Sequence, residues 1–149
     1  MNIRKAEHRD LNAILSLSPQ AIYDGTLGEV MPSNEKIDSL VKPLLDKGGF
    51  YLFAEEKDEI LGWVLVGTTK DQFTEKPIGF IYELYIRQPY RGKGHSKRLM
   101  NAAIEHFQQE GHAEIRLSAK AENPAMRMYE NMGFTTRTVS MSLNLKQCK

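Results

Sequence analysis

The residues best suited to chemistry lie in a short basic segment with two glycines, Arg91-Gly92-Lys93-Gly94-His95-Ser96-Lys97-Arg98. The segment follows the apolar run 78–86 and precedes residues with helical spacing. Glycines let successive backbone N–H groups converge, and the first N–H groups of a helix have no partner inside it. The helix dipole adds roughly half a positive charge at the same place. The segment therefore predicts a binding site for a phosphate or a diphosphate.

Two other phosphate-binding loops are excluded by spacing. The Walker pattern needs Gly-x-x-x-x-Gly-Lys-Ser/Thr, which this segment does not have. The dinucleotide fingerprint needs a third glycine where this chain has Lys97. Taken alone, the two glycines also fit a simple turn before a helix with a solvated basic start.

The elements before this segment predict a sheet with two early helices. Residues 2–6 favour a short strand, and Asp10 favours the start of a helix that carries Leu11 and Ile14. Residues 18–32 hold prolines and glycines without a period, which indicates a mobile loop. Ser33 is placed to cap a second helix, which Pro43 should kink or shorten. Runs 50–54 and 60–66 indicate a hairpin with a charged turn, and 78–86 indicates a third strand.

The elements after the segment predict a crossover back to the sheet. A helix should run from the glycine segment to Gly111, followed by a strand at 113–119 and a short helix at 124–132. Apolar and polar residues alternate from Val139 to Leu145, which predicts a half-exposed final strand. The order is βααβββαβα with one or two strands after it, which is typical of a mixed α/β sheet.

Composition narrows the class of protein. The chain has 149 residues, which suits one domain spanning 1–149, and is 41% hydrophobic and 26% charged, as globular proteins are. Its 20 basic and 19 acidic residues give a net charge of +1, which argues against nucleic-acid and membrane-surface partners. No run suits a signal peptide or a membrane span, so we expect a cytoplasmic protein. The lone Cys148 lies near the end of the sequence, where we expect an inert thiol.

These motifs resemble the GNAT superfamily of acyl-coenzyme A-dependent N-acetyltransferases. The family's motif Arg/Gln-x-x-Gly-x-Gly/Ala is similar to residues 91–96, with Ser96 in the last position and His95 where a branched apolar residue is commoner. A second signature, an Asn and then Tyr-x-x-x-Gly-Phe, is matched by Asn123 and residues 129–134. The resemblance covers the whole chain. It implies a mixed α+β fold with a central, mostly antiparallel sheet of 6–7 strands flanked by about four helices.

The resemblance also implies acetyl-coenzyme A as cosubstrate and no metal. Its diphosphate would rest on the N–H groups of Arg91, Gly92, Gly94 and Ser96. Its pantetheine arm would pair with the backbone of Leu84–Ile86, where a bulge or splay usually opens the sheet. The implied cofactor-binding residues are Leu84, Tyr85, Ile86, Arg91, Gly92, Lys93, Gly94, His95, Ser96, Lys97 and Asn123. We interpret His95 as a partly exposed packing residue rather than a catalytic base.

Two residues are candidates for proton transfer to and from an acceptor amine. Tyr129 matches the tyrosine that protonates the leaving thiolate in the family, although a core aromatic is the alternative. Glu83 is the candidate base, because apolar neighbours in the cofactor-binding strand would raise its pKa. An edge-facing glutamate in a salt bridge is the other interpretation. Alternation along the strand places Tyr85 on the same face as Glu83.

The identity of the acceptor stays open. Lining residues could come from Tyr23, Asp24, Glu29, Trp63 and Phe73, with Trp63 favoured as a core residue. The primary hypothesis is acetyl transfer to the primary amine of a small molecule by direct attack in a ternary complex. The alternatives are a protein or peptide N-acetyltransferase and a non-catalytic coenzyme A-binding regulatory module. The oligomeric state is also open, with a homodimer among the options.

Overall fold

The computed structural model describes residues 1–146 and shows a five-stranded sheet between two layers of helices. A single 3-10 turn, Gln88–Tyr90, lies between the fourth strand and the third helix. The elements are β1 (Asn2–Lys5), α1 (His8–Gly25), α2 (Asn34–Asp46), β2 (Phe50–Glu56), β3 (Glu59–Lys70), β4 (Pro77–Ile86), α3 (His95–Gln109), β5 (Ile115–Leu117) and α4 (Ala125–Asn131). This order of strands and helices is the one that the sequence predicts as far as α4.

The sheet is mixed and mostly antiparallel, as expected. Its strand order is β1-β2-β3-β4-β5; the first three pairings are antiparallel and the last is parallel. A parallel pair needs a crossover connection, and α3 supplies it. The basic segment 91–98, with its two glycines, therefore lies at the start of a crossover helix, beside the end of β4.

The first helix is longer than the sequence predicts. It runs through Pro19 to Gly25, so the loop expected at 18–32 is wrong for residues 18–25. Ile14, Ser18 and Ala21 are buried on one face of α1, and this packing on the sheet outweighs the backbone hydrogen bond that proline removes. Asp10 lies inside the first turn rather than at the cap, where its Oδ2 accepts from Glu7 N–H at 2.8 Å.

The second helix and the hairpin are confirmed with small changes. Ser33 Oγ accepts from Lys36 N–H at 3.1 Å and so caps α2, which continues past Pro43 to Asp46. The turn between β2 and β3 has both Lys57 and Asp58 at positive φ, +52° and +66°. That backbone shape is the one that two-residue hairpin loops need.

The core is divided between the two faces of the sheet. On one face, the sheet residues Val64 and Ile81 pack with α4 and with α3, which contributes Leu99 and Phe107. On the other, Tyr51, Phe53, Trp63, Leu65 and Tyr85 pack with α1 and α2. We call these the α3 face and the α1 face.

The final strand predicted from Val139 to Leu145 is wrong. Within residues 1–146, the segment from 135 onward has no backbone–backbone hydrogen bond, and its alternating apolar side chains are exposed. Alternation describes a strand only where a sheet edge pairs with it, and here a groove of about 660 Å³ lies between β5 and this segment. The described sheet consequently has five strands rather than six or seven, and the expected strand at 113–119 is reduced to Ile115–Leu117. Cys148 lies outside the described residues.

Candidate active site

The loop between β4 and α3 has the backbone shape that its glycines predict. Gly92 and Gly94 both have φ of +80°, in the left-handed region that glycine adopts without strain. Gly94 directly precedes the first turn of α3 and has no side chain to cap it. The residues from Arg91 to Gly94 are exposed, so an anion can approach the helix start from solvent.

The N–H groups of this loop are available to an anion. Among residues 1–146, those from Gly92 to Lys97 have no hydrogen-bond acceptor; Arg98 N–H, which donates to Gly94 O at 3.2 Å, is the next in the chain. Exposed Lys93, Lys97 and Arg98 add positive charge. Converging N–H groups at a helix N-terminus bind phosphate oxygens. The loop therefore fits the diphosphate of a coenzyme A group.

Arg91 contributes its side chain to this loop, rather than the backbone N–H group that the resemblance implies. Its N–H donates to Gln88 O at 3.3 Å and so is not among the free N–H groups. Its Nε donates to Ile86 O at 2.8 Å, and its Nη2 lies 2.7 Å from Asp24 Oδ2. The side chain of Arg91 thus ties the end of α1 to the phosphate loop.

Asp24 is the centre of a small network at the end of α1. It accepts from Gln20 Nε2 at 2.8 Å and from the Tyr85 hydroxyl at 3.2 Å. Although burial raises the pKa of Asp24, hydrogen bonds from Arg91, Gln20 and Tyr85 outweigh it and hold the pKa below its ordinary value. Asp24 is therefore ionised at neutral pH and balances the charge of Arg91.

Strand β4 contains the irregularity that opens the sheet. Leu65 pairs with Glu83 while Val66 pairs with Ile81, so Tyr82 is an inserted, bulged residue. The pairing of β4 with β5 covers only residues 79–81. Beyond Ile81 the two strands part, and the β4 backbone from 82 to 86 has no described strand beside it on that side. A ligand arm can enter there and pair with β4.

The residues of this free part of β4 point to different faces of the sheet. Leu84 and Ile86 pack on the α3 face. Glu83 and Tyr85 both contact Trp63 on the α1 face, as the alternation predicts. The β4 backbone at 84–86 is therefore supported by packing on both faces.

Glu83 has the environment of a general base. Its side chain is partly buried, and its Oε1 accepts a hydrogen bond from Trp63 Nε1. Burial raises its pKa, and the Trp63 hydrogen bond lowers it in part, leaving the pKa above its ordinary value. A carboxylate with a raised pKa is a stronger base for a proton near neutral pH. The alternative of a salt-bridged glutamate is not supported, because its partner is a neutral indole.

Tyr129 lies on the opposite face of the sheet. It belongs to the α3-face core and packs against Phe134, with ring centroids 6.0 Å apart. Its hydroxyl has no hydrogen-bond partner among residues 1–146, and burial raises its pKa. Tyr129 is thus both a core aromatic and a protonated hydroxyl without a described protein partner. Both interpretations of its role remain compatible with this geometry.

Three further predicted residues have structural contacts of their own. His95 is buried rather than partly exposed, and its Nδ1 has no partner within residues 1–146. Ser96 Oγ lies 3.5 Å from Met128 Sδ and so links the start of α3 to α4. Asn123 Oδ1 accepts from Ala125 N–H at 2.9 Å at the start of α4. The side-chain carbonyl oxygen of Asn123 is therefore engaged by the backbone at the start of α4, and its contact with the cofactor stays a prediction.

The acceptor-side candidates are only partly brought together. Glu29 forms an ion pair with Lys120 at 2.5 Å, which links the segment after α1 to the loop between β5 and α4. Tyr23 is exposed near the end of α1, and Phe73 is 89% exposed in the turn between β3 and β4. Phe73 is consequently too exposed to line a buried pocket. Trp63 is fully buried, as its assignment to the core predicts.

Sequence reasoning missed the partners of Glu83 and Arg91. It considered Trp63 as a pocket-lining residue and favoured a place in the core, but it did not predict the hydrogen bond to Glu83. It also did not single out Tyr51, whose buried hydroxyl has no partner within residues 1–146. The pairing of Asp24 with Arg91 joins residues far apart in the chain and has no local signal. For Trp63, alternation in two neighbouring strands was the available signal, but the diagonal contact required the register.

Comparison with known proteins now decides the family. Residues 13–134 match the acetyltransferase (GNAT) family. The chain belongs to this family. The match includes the phosphate loop, the bulged strand and Tyr129, and it confirms the resemblance inferred from the motifs.

Individual relatives agree with this assignment. A mycothiol acetyltransferase of Segniliparus rotundus is 30% identical over 105 residues, which are 69% of this chain and 40% of that protein. N-alpha-acetyltransferase 30 of Saccharomyces cerevisiae is 42% identical over 57 residues, which are 38% of this chain and 32% of that protein. The chain thus spans less than half the length of these two relatives.

A solved structure supports the fold of this GNAT family member. A "predicted acetyltransferase with acetyl-CoA" from Clostridium acetobutylicum superimposes with a TM-score of 0.77 at 19% identity, covering 99% of this chain and 97% of that one. At this identity the likeness shows the fold. Within residues 1–146, no helix is long and apolar enough to cross a membrane. The same residues hold no group of three or more His, Cys, Asp or Glu side chains arranged for a metal ion.

Proposed function

We propose that this GNAT protein transfers an acetyl group from acetyl-coenzyme A to the primary amine of a small molecule, by direct attack in a ternary complex. One combination of features carries the proposal. The N–H groups at the start of α3 are free, and beside them the edge of β4 that faces β5 has no strand partner beyond Ile81 among residues 1–146. Together they provide a diphosphate site and a strand edge that a pantetheine arm can extend. The Clostridium acetobutylicum relative, whose name includes acetyl-CoA, supports the choice of donor.

The acceptor must lose a proton before it can attack. An alkyl ammonium with a pKa of about 10 needs about 4 kcal/mol to populate its neutral form at pH 7. The Glu83 carboxylate accepts this proton, directly or through a water, and becomes a neutral carboxyl. The amine nitrogen then forms a bond to the acetyl carbon, and the carbon–sulfur bond of the thioester breaks.

The leaving thiolate needs a proton in turn. Tyr129 donates the proton of its hydroxyl to the sulfur, and the proton released from the acetylated nitrogen returns to the solvent. The proton held by Glu83 then reaches Tyr129 through water, which restores both side chains for the next turnover. The raised pKa of Tyr129 keeps the hydroxyl protonated at neutral pH, so that it is ready to donate. The net change is ammonium plus thioester to amide, thiol and one proton.

A small acceptor is favoured by the ion pairs at the end of α1. Asp24 is bound to Arg91 of the phosphate loop, and Glu29 is bound to Lys120 in the loop before α4. These contacts connect the end of α1 and the residues after it to the loop before α3 on one side and to the loop before α4 on the other, and we infer that they bound the acceptor side of the site. A relative that is named for mycothiol rather than for a protein supports the same class.

The second candidate is a protein or peptide N-acetyltransferase. The similarity of 57 residues to N-alpha-acetyltransferase 30 favours it. The two candidates differ in the width of the approach to Glu83, because a peptide needs an open groove on both sides of its N-terminus.

The test is an acetylation assay with purified protein, acetyl-coenzyme A and two matched panels of acceptors. One panel holds small primary amines and the other holds peptides with free N-termini or lysines, and thiol release and acetylated product are both measured. We expect turnover with members of the small-amine panel only. Turnover confined to peptides would favour the second candidate, and coenzyme A binding without turnover would favour a regulatory module. Absence of coenzyme A binding by folded protein would contradict the proposal altogether.

A further inference from the structure

The α1 face of the sheet contains a group of polar atoms around Glu83 that the proposed reaction does not yet use. Trp63 is fully buried on β3, and its Nε1–H donates to Glu83 Oε1. Glu83 Oε2 has no hydrogen-bond partner among residues 1–146. One oxygen of the carboxylate is therefore fixed by the protein, and the other is available.

The regular register of β3 and β4 next to the bulge creates this contact. Trp63 is directly opposite Tyr85 in the register, and Leu65 is opposite Glu83. Trp63 therefore reaches Glu83 diagonally, a distance that long aromatic side chains span. The bulge at Tyr82 lies immediately before Glu83, where β4 leaves β5, and from Glu83 onward the regular alternation places Glu83 and Tyr85 on the α1 face.

The indole is itself held rigidly. Its ring packs on Tyr85 with centroids 5.1 Å apart at 50°, and Phe53 is its register partner on β2. Buried Ile37 and Val41 of α2 belong to the same core. A side chain packed on all sides in this way has little freedom to rotate, so the direction of its N–H is set by the core.

We propose that Trp63 is a positioning residue: its indole N–H holds one oxygen of the Glu83 carboxylate and leaves Oε2 to take the proton of the acceptor amine. This inference rests on the proposed function of Glu83 as the base. An indole N–H can donate but cannot accept, so it stabilises the ionised carboxylate without competing for the proton. A tyrosine or histidine at position 63 could exchange protons with Glu83, whereas tryptophan cannot.

Among the described residues around Glu83, Trp63 is the polar side chain that affects its basicity, because the titratable neighbours are either neutral or paired. The titratable groups of this face are Tyr51 from β2, Tyr82 and Tyr85 from β4, and Asp24 from α1. Burial raises the pKa of all three tyrosines, so they stay neutral. Asp24 is ionised but is paired with Arg91. Two opposing influences therefore act on Glu83: burial favours its protonated form and Trp63 favours its ionised form.

The experiment removes the donor and keeps the shape. Trp63 is replaced by the isosteric benzothienyl side chain, in which sulfur takes the place of the ring N–H, and Trp63→Phe is made in parallel. The carboxyl pKa of Glu83 is followed by carbon-13 NMR, with Glu83→Gln identifying the resonance. The pH profiles of kcat and of kcat/KM are measured on the same proteins. Phe107→Leu is the matched control, because it opens the core on the α3 face and leaves Trp63 and its neighbours on the α1 face unchanged.

Loss of a charge-assisted hydrogen bond should raise the Glu83 pKa by about one to two units. We expect the acidic limb of the pH profile to move upward by the same amount. We also expect kcat at neutral pH to fall about tenfold, while the KM for acetyl-coenzyme A is unchanged. Phe107→Leu should lower thermal stability and leave the pKa of Glu83 and the acidic limb in place.

The outcomes separate this inference from the function on which it rests. An unchanged Glu83 pKa in the benzothienyl protein overturns the role of Trp63, whether or not the protein is active. A shifted pKa with an unmoved acidic limb overturns it as well, since the contact would then be structural only. If Glu83→Gln retains the full wild-type rate, the role of Glu83 fails first, and the NMR titration still reports on the contact.

Discussion

The candidate catalytic groups on the two faces of the sheet have different surroundings. On the α1 face, Glu83 is held by Trp63 and lies beside Tyr85, which is bound to Asp24. On the α3 face, Tyr129 is surrounded by apolar side chains, and its hydroxyl has no partner within residues 1–146. In the proposed reaction, the group that takes a proton thus has polar neighbours that tune its pKa, whereas the group that gives a proton is surrounded by apolar side chains. The sheet is open between these two faces where β4 separates from β5, beyond Ile81.

The largest effect should come from the phosphate loop, residues 91–96, because the donor must bind there before the candidate groups on either face can act. Gly94→Glu adds a carboxylate beside the diphosphate, where like charges cost several kcal/mol, so binding of coenzyme A should weaken by about 1000-fold or more. Gly111→Glu is the matched control. Both glycines have positive φ, +80° and +82°, and both have open space where a Cβ atom would lie, so the two variants carry the same backbone strain.

Isothermal titration with coenzyme A checks this prediction. Each variant should lose about 1–2 kcal/mol of stability from its left-handed backbone. Only Gly94→Glu should lose binding. Equal affinity in the two variants would show that the loop has no part in holding the cofactor.

The next effect tests the α1 face. Glu83→Gln keeps the shape and the Trp63 contact but cannot accept a proton, so kcat at neutral pH should fall by about 100-fold. In the wild type, activity should decline as the pH falls through the raised pKa of Glu83, and the variant should lose this limb. Steady-state kinetics across a range of pH measure both, and a retained acidic limb would assign the base to another group.

A smaller effect should arise on the α3 face. Tyr129→Phe removes the hydroxyl and keeps the ring in its core position, so kcat should fall about tenfold. The reduction is modest because a thiol with a pKa near 8.5 is already a fair leaving group. Binding of coenzyme A, measured by titration, should be unchanged. An unaltered kcat would mean that Tyr129 is a core aromatic alone.

The contrast between the faces extends to stability. Burial raises the folded-state pKa of Glu83, so the folded protein holds this proton more tightly than the unfolded chain. The stability that this group contributes therefore falls as the pH rises from the unfolded pKa through the folded one. Glu83→Gln should raise the free energy of unfolding at neutral pH and should lose this gain at low pH. Urea unfolding at several pH values provides the measurement, and Tyr129→Phe should show no such pH dependence in the same range.

The smallest effect should come from the ion pair between the end of α1 and the phosphate loop. Asp24→Asn weakens the ion pair with Arg91, whose partly exposed side chains limit its contribution to less than about 1 kcal/mol. We expect a change of only about two- to threefold in coenzyme A affinity, and less at high salt. A loss of tenfold or more would show that Asp24 holds the phosphate loop in its binding shape.

Much of the site could be predicted because its signals are local. The positive φ of Gly92 and Gly94, the start of α3 and the Ser33 cap of α2 all depend on residues within a few positions of each other. The helical spacing of Leu99, Ala103 and Phe107 likewise predicts one buried face. Local backbone preferences and periodic burial act over a turn or two of chain, so a single sequence contains them.

Other features depended on partners that are distant in sequence. Helix α1 continues through Pro19 because the sheet buries Ser18 and Ala21, which no local signal conveys. The alternating segment from Val139 to Leu145 has a strand pattern, but no backbone partner within residues 1–146. Packing and pairing override local preference in both directions.

By itself the sequence determined an anion-binding helix start after a strand, the order of elements and, through its motifs, the GNAT family. Only the tertiary structure decided that Glu83 receives the N–H of Trp63 and that Asp24 is paired with Arg91. The physical reason is that both contacts join residues far apart in the sequence: the register of β4 on β3 brings Glu83 to Trp63, and the packing of α1 on the sheet brings Asp24 to Arg91.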